Sequence, residues 1–306
     1  LIQAGSVNAL INAVVVLESA VDIQAAAGST KEQIFNRATL DYDFYAGIYK
    51  EYRNRSLNQI PLIDAVTCAR NSTATADHPF GVVTYDINEP RIEYDTASGA
   101  RMGLLVEEQR TNLLLFSEDL TNPAWTKLNA GTVTAKSVAT VVGQILNVRQ
   151  GVAKAASAIT YTATWELSGS LSVVALSIDE GVGTNRVIVD FNLVTGAIAA
   201  PVVSGTFVLV GTAVSRTTKG WVVSLSITSD TSTSIRQRLS CTGNGSVINI
   251  YRQQLEAGAF ATSYIPTTTG AMIRLGALST LQSLPEMAAA VPEYTILCIL
   301  RKKRRI

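Results

Sequence analysis

The groups in this 306-residue chain that could do acid–base or nucleophilic chemistry are few and poorly spaced for it. Glycosidic hydrolysis needs two carboxyls facing each other across a cleft, roughly 5–10 Å apart. The acidic pairs here are sequence neighbours: Glu107 with Glu108, Glu118 with Asp119, Asp179 with Glu180. Neighbours on a strand point to opposite faces. A nucleophilic triad needs a base. The single histidine, His78, sits in the loop His78-Pro79-Phe80-Gly81 with no partner recognisable from spacing. Cys68, Cys241 and Cys298 are far apart and odd in number, with neither zinc spacing nor the look of a disulfide framework. They read as reduced and mostly buried. No P-loop and no dinucleotide fingerprint is present. Asp179-Glu180, or Glu118-Asp119 with Asn122, could offer oxygens to Ca²⁺, but neither has EF-hand spacing and solvated turns are the simpler reading. The expectation is a non-enzymatic protein with no catalytic residue, no metal and no cofactor.

Recognition chemistry fits the residues better. Sugar hydroxyls are bound by Arg, Asp, Glu and Asn, with an aromatic ring stacking on the sugar face. Strand alternation turns Glu166, Arg186, Asp190, Arg236 and Arg238 outward, so these are the candidate carbohydrate-binding side chains. The competing reading is that they are ordinary solvated charges. Trp165 and Trp221 fall on the apolar faces of their strands and belong to a core; Trp125 is left open.

The elements that would position these groups are mostly strands. In Thr160–Leu167, Tyr161, Ala163, Trp165 and Leu167 share one face while Thr160, Thr162, Thr164 and Glu166 share the other. Leu171–Ile178 is a near-continuous buried run. Val187, Val189 and Phe191 face inward, with Arg186 and Asp190 outward and Ile188 beside them. Phe207–Val210, Trp221–Ile227, Ile235, Leu239, Ile248 and Ile250 continue the theme. Recurrence at roughly 8–12 residues, with Gly, Ser, Thr and Asn between, predicts a mainly β fold. The expected architecture is a jelly-roll-like antiparallel β-sandwich over 116–270. A β-rich linker region covers 41–115, and 271–306 forms a C-terminal extension.

The N-terminal 1–40 reads as a helical stem or attachment segment. Over 5–27, Val7, Leu10, Val14, Leu17 and Val21 step alternately by three and four, the a/d pattern of an oligomerising helix. An amphipathic helix packed on its own subunit satisfies the same pattern. Gly28 breaks it, and Ser29 with Glu32 forms a capping-box signature for a second helix over about 30–38. At the other end, Arg301-Lys302-Lys303-Arg304-Arg305 follows a strand-like run. A solvated strand end that discourages edge pairing is favoured there over a nucleic-acid patch.

The densest charge lies between these parts. Arg91, Glu93 and Asp95 alternate with Ile92 and Tyr94; Thr96-Ala97-Ser98-Gly99 is a turn; Glu107, Glu108 and Arg110 follow the apolar run Gly103–Val106. Two readings stand: a hairpin with solvated charges, or a cluster paired between domains or subunits.

The string PRIEYDTASGARMGLLVEEQRTNLLLFSEDLTNPAW, from Pro90 to Trp125, resembles a segment that recurs in bacteriophage tail-fibre, tailspike and head-fibre proteins. The matching positions include Arg91, Tyr94, Asp95, Gly103, Glu107, Glu108, Arg110, Thr111, Asn112, Ser117 and Trp125. QLEAGAFATSYIPT, from Gln254 to Thr267, resembles the closing motif of the same family, and CARNSTAT, from Cys68 to Thr75, an upstream element. The resemblance implies a sandwich similar to a carbohydrate-binding module, a homotrimer, other virion proteins as partners at the N-terminal end, and a place on the virion. The expected function is therefore a structural fibre or spike component attaching to a host surface glycan. The rivals are a purely architectural head, neck or tail protein, and a polysaccharide depolymerase. Composition adds that a net charge of +1 offers no global field for nucleic acid or membrane. No run reaches the roughly 18 apolar residues of a membrane span.

Overall fold

The computed structural model describes residues 10–19, 40–53, 56–181, 183–281 and 294–301. The chain divides into two compact units, 1–109 with 275–304 and 110–274, the latter joined by the last two residues.

The first unit is built on β1 (Leu10–Ser19), β2 (Leu40–Asp43), β3 (Ile48–Arg53), β4 (Ser56–Gln59), β8 (Ile92–Tyr94) and β9 (Arg101–Leu105), in the order β4-β3-β2-β1-β9-β8. The returning chain adds β25 (Tyr294–Arg301), which pairs antiparallel with β1 from Asn12 to Ser19. Two short ladders accompany this sheet. One joins β5 (Val66–Ala69) to β24 (Leu278–Leu281), and the other is the hairpin of β6 (Ala74–His78) and β7 (Gly81–Tyr85). Phe44, Tyr49, Ile60, Ala65, Val66, Ile92 and Leu104 form its main apolar cluster.

One sequence expectation fails here. Leu10–Ser19 is a strand, where the a/d spacing predicts helix. Val14-Val15-Val16 is a β-branched run, and β-branching favours the strand over the helix. Strand β1 takes β9 and β2 as partners in succession and β25 as well. Val7, Val21 and the helix expected over 30–38 lie outside the described residues.

The second unit is a sandwich of two antiparallel sheets. Its strands are β11 (Thr126–Leu128), β12 (Ala130–Thr134), β13 (Ser137–Thr140), β14 (Ile145–Ala153), β15 (Thr160–Gly169), β16 (Val174–Asp179), β17 (Arg186–Phe191), β18 (Val202–Ser204), β19 (Val208–Arg216), β20 (Trp221–Thr228), β21 (Ser234–Thr242) and β22 (Val247–Ala257). One sheet, the β14 sheet, runs β11-β14-β21-β16-β17-β18. The other, the β15 sheet, runs β12-β13-β22-β15-β20-β19. The pairing is nested: β13 with β22, β14 with β21, β15 with β20, β16 with β17. The small ladder of β10 (Arg110–Asn112) and β23 (Met272–Arg274) stands where the chain enters and leaves.

The sheets pack because each presents an apolar row to the other. Leu146, Val148, Leu176, Ile178, Val187, Val189, Ile235 and Leu239 come from the β14 sheet; Ala163, Trp165, Leu167, Val223, Leu225, Ile227, Ile248 and Leu255 come from the β15 sheet. Burial alternates residue by residue along β21, which is the period of a strand with one face inward. The turn after β17 shows how loops are fixed. Asn192 Oδ1 accepts from the backbone N–H groups of Val194 and Thr195, and Gly196 closes the turn at φ 76° beneath the Trp221 ring.

Candidate functional site

The β14 sheet turns its second face away from the core. Two cross-strand rows on that face hold most of its charge. In one, Gly151, Arg236, Asp179, Arg186 and Ser204 stand opposite one another on β14, β21, β16, β17 and β18. In the next, Arg149, Arg238, Ser177, Ile188 and Val202 do the same. Directly opposed residues lie roughly 5 Å apart, and successive rows roughly 7 Å. Four guanidinium groups therefore share a small area with one carboxylate, that of Asp179.

Asp179 organises the cluster. Its Oδ1 accepts from the Gly181 backbone N–H at 2.9 Å, and Arg236 Nε lies 2.7 Å from the same oxygen. That N–H is within ion-pair distance but is not aligned for a hydrogen bond. Arg238 Nε stands 3.9 Å from Oδ2. The side chains of Arg149 and Arg186 make no ion pair or hydrogen bond among the described residues. Burial, then the neighbouring Arg236, Arg186 and Arg149, hold the Arg238 guanidinium below its usual pKa, against the pull of Asp179. Arg236 Nε, Arg238 Nε, Asp179 Oδ2 and Ser177 Oγ are buried without a hydrogen-bond partner. Ser177 itself is only 1% exposed, although it stands on the outward face.

The end of this face is framed by a bonded loop cluster. Asp230 accepts from Asn185 Nδ2 at 2.6 Å, from Thr206 Oγ1 at 2.8 Å and from the Ser232 backbone N–H at 2.9 Å. Backbone and side-chain hydrogen bonds from Ser232 are the main reason its pKa is lowered to about 2. Glu180 is held by the backbone N–H and the amide of Asn185. Among the described residues no group of three or more His, Cys, Asp or Glu is placed to hold a metal ion.

The structure brings four of the five outward candidates onto this one face: Arg186, Arg236, Arg238 and Asp190. Asp190 is exposed and lies four residues along β17 from Arg186, roughly 13 Å away. Glu166 is elsewhere. It lies on the β15 sheet, 4% exposed, with Arg252 Nε 2.8 Å from Oε2 and the Thr217 hydroxyl donating to Oε1 at 2.8 Å. It is a buried ion-pair member, because β22 and the segment before β20 supply partners that alternation along β15 alone does not reveal. The sequence reading missed Arg149, Ser177 and Asp179. Asp179 looked like part of a turn, and β14 alternates through Asn147, Val148, Arg149 and Gln150, a signal available in the residues themselves.

The dense charge cluster resolves into separate structural jobs. Arg91 and Glu107 are buried against each other within the first unit, 3.2 Å apart, and Arg91 also donates to the Thr75 carbonyl at 2.6 Å. Glu93 is buried, and Glu108 is exposed. Asp95 caps the hairpin turn by accepting from the backbone of Ala97 and Ser98. Arg110 belongs to the second unit, where it stands 3.8 Å from Glu256 and packs over Phe260.

The closing motif is a buried polar clasp. Asn112 Oδ1 accepts from the N–H groups of Leu114 and Leu255, and its amide donates to the carbonyls of Gln253 and Ile265. Glu256 accepts from Gln254 and twice from Thr262. Arg274 donates to Ser263, and Ser117 bonds Tyr264 at 2.6 Å. Trp125 is buried, with its indole N–H on the Phe116 carbonyl. Trp165 is buried in the core, and Trp221 packs against its margin. Of the N-terminal set, Leu10, Val14 and Leu17 stand on β1. His78 packs against Tyr94 with ring centroids 4.1 Å apart and planes tilted by 43°, and bonds the Tyr85 hydroxyl at 2.9 Å.

No protein-family model matches this chain, and no curated protein sequence matches it.

Proposed function

We propose that this chain is a non-enzymatic fibre or spike component of a bacteriophage particle that attaches to a bacterial surface glycan through the outer face of its β14 sheet. The observation that carries the reading is the outer face on which Arg149, Arg186, Arg236 and Arg238 gather around Asp179, with the Arg149 and Arg186 side chains engaged in no ion pair among the described residues. The nested strand order supports reading the sandwich as a jelly roll, with β12, β11, β18 and β19 as additions at its edges. The virion setting, the trimer and attachment through the N-terminal part rest on the sequence resemblance. Several copies on one particle would multiply weak single-site affinity into avidity.

The test is an array of bacterial surface polysaccharides probed with the full chain and with the double variant Arg236→Ala/Arg238→Ala. Saturable binding by the parent chain, lost in the folded variant, supports attachment. A folded chain that binds no polysaccharide on the array removes the reading.

A second reading has its own observation. Val202 and Val203 on the edge strand β18, and Val208 and Val210 on the edge strand β19, are each at least 44% exposed. Apolar edges of this kind suit contact with other protein chains, as in an architectural component. That reading predicts a stable complex with a virion protein and no glycan affinity.

A further inference from the structure

We infer that the glycan recognised on the β14 sheet is an acidic one, bound through carboxylate or phosphate groups repeated along the polymer. The inference rests on the attachment reading above and concerns which polymer that face selects.

Charge and the excess of donors over acceptors both point to an anion. A face that bound only neutral sugars would need a mixture of donors and acceptors, because a hydroxyl both gives and accepts. This face is dominated by donors. Four guanidinium groups carry only N–H, and the single carboxylate among them is already engaged by Arg236 and by the Gly181 backbone. On the strands themselves the face keeps a net positive charge even when Asp190, further along β17, is counted, while the loop carboxylates Glu180 and Asp230 at its end are held by Asn185 and Thr206. Crowding cations this way is unfavourable in the empty protein. It becomes favourable when an anion arrives, since charge-assisted bonds to Arg are short and strong.

Asp179 has a specific part in this. It stands opposite both Arg236 and Arg186 and holds the former close, so part of the donor array is fixed before the ligand arrives. Arg149 and Arg186 lie on β14 and β17, either side of β21 and β16. Free of intramolecular partners among the described residues, they are the two groups best placed to close on successive anionic substituents. The planar Arg fork also matches carboxylate and phosphate in a way that Lys does not.

The experiment is titration calorimetry on the full chain at two salt concentrations with four defined probes. These are an oligogalacturonate, the same oligosaccharide with its carboxyls reduced to alcohols, a glycerol-phosphate oligomer, and a neutral glucan oligomer. The variants are Arg149→Ala/Arg186→Ala and Arg149→Lys/Arg186→Lys. Neither pair of changes strips Asp179 of its ion-pair partners, so folding is preserved. Binding of the oligogalacturonate, weakened by salt and lost on carboxyl reduction, is the expected result. The Ala pair should lower affinity about tenfold or more, and the Lys pair should restore only part of it. Tighter binding of the glycerol-phosphate oligomer upholds the acidic class and assigns phosphate as its source. Equal binding of the acidic oligosaccharide and its reduced form, unaffected by the Ala pair, overturns the inference and leaves glycan attachment standing. No binding to any probe, combined with no binding on the polysaccharide array, overturns both.

Discussion

At the scale of single residues, the chain spends its most demanding polar chemistry on closing the sandwich rather than on the exposed face. Asn112 uses all four of its bonding positions on backbone groups from three separated stretches of chain. Replacing it with Ala strands buried N–H and C=O groups, each worth about 1–3 kcal/mol when left unpaired. Asn112→Ala should therefore destabilise the second unit by about 3 kcal/mol or more, read from the shift of its denaturant midpoint. A loss under about 1 kcal/mol would mean that neighbouring groups take over those bonds. Asp230 makes a pH prediction. Its folded pKa of about 2 lies below the usual carboxylate value. Its contribution is thus in place above about pH 4 and lost as pH falls toward about 2. The melting-temperature gap between the parent chain and Asp230→Asn should be present at neutral pH and close over that window. A gap constant down to the acid limit would contradict the assignment.

At the scale of elements, what was readable depended on whether a strand had one face wet. β17 and β21 alternate, and their inward residues could be named from the sequence. β1 could not be read so. A short run apolar on successive residues fits a buried strand and a helix alike, and the a/d spacing of Leu10, Val14 and Leu17 was satisfied by accident of that run. Glu166 shows a second limit. Alternation tells which side of a strand a residue takes, but a later segment decides whether that side is covered. Here Arg252 and Thr217 cover it. The resemblance motifs were visible as strings, yet their role as a buried clasp depends on pairings more than a hundred residues apart. Turn chemistry is local and can be tested locally. Gly196 holds a positive φ beneath the Trp221 ring, where a Cβ would strike the indole. Gly196→Ala should cost about 1–3 kcal/mol and alter tryptophan fluorescence before global unfolding. Unchanged fluorescence and stability would show that the turn shifts freely.

At the scale of the whole molecule, each unit has its own apolar cluster. The cluster that runs from Leu114 to Leu255 draws on the second unit alone. The fragment 110–274 should therefore fold in isolation, with a β-type circular dichroism spectrum and one cooperative transition. A fragment that stays unfolded would show that the sandwich needs the rest of the chain. The first unit depends instead on strands from both ends of the sequence, since β25 pairs with β1 and β24 with β5. Removing residues after 274 should lower the stability of the first unit and leave the transition of the second in place.

The ladder of β10 and β23 sets Arg110 directly opposite Arg274, so the chain leaves the sandwich where it entered. Everything between those two arginines is a cassette. Its exchange for another body with adjoining ends places no new length demand on the flanking strands. Recombination at that doorway would exchange the sandwich while the strands of the first unit keep their register.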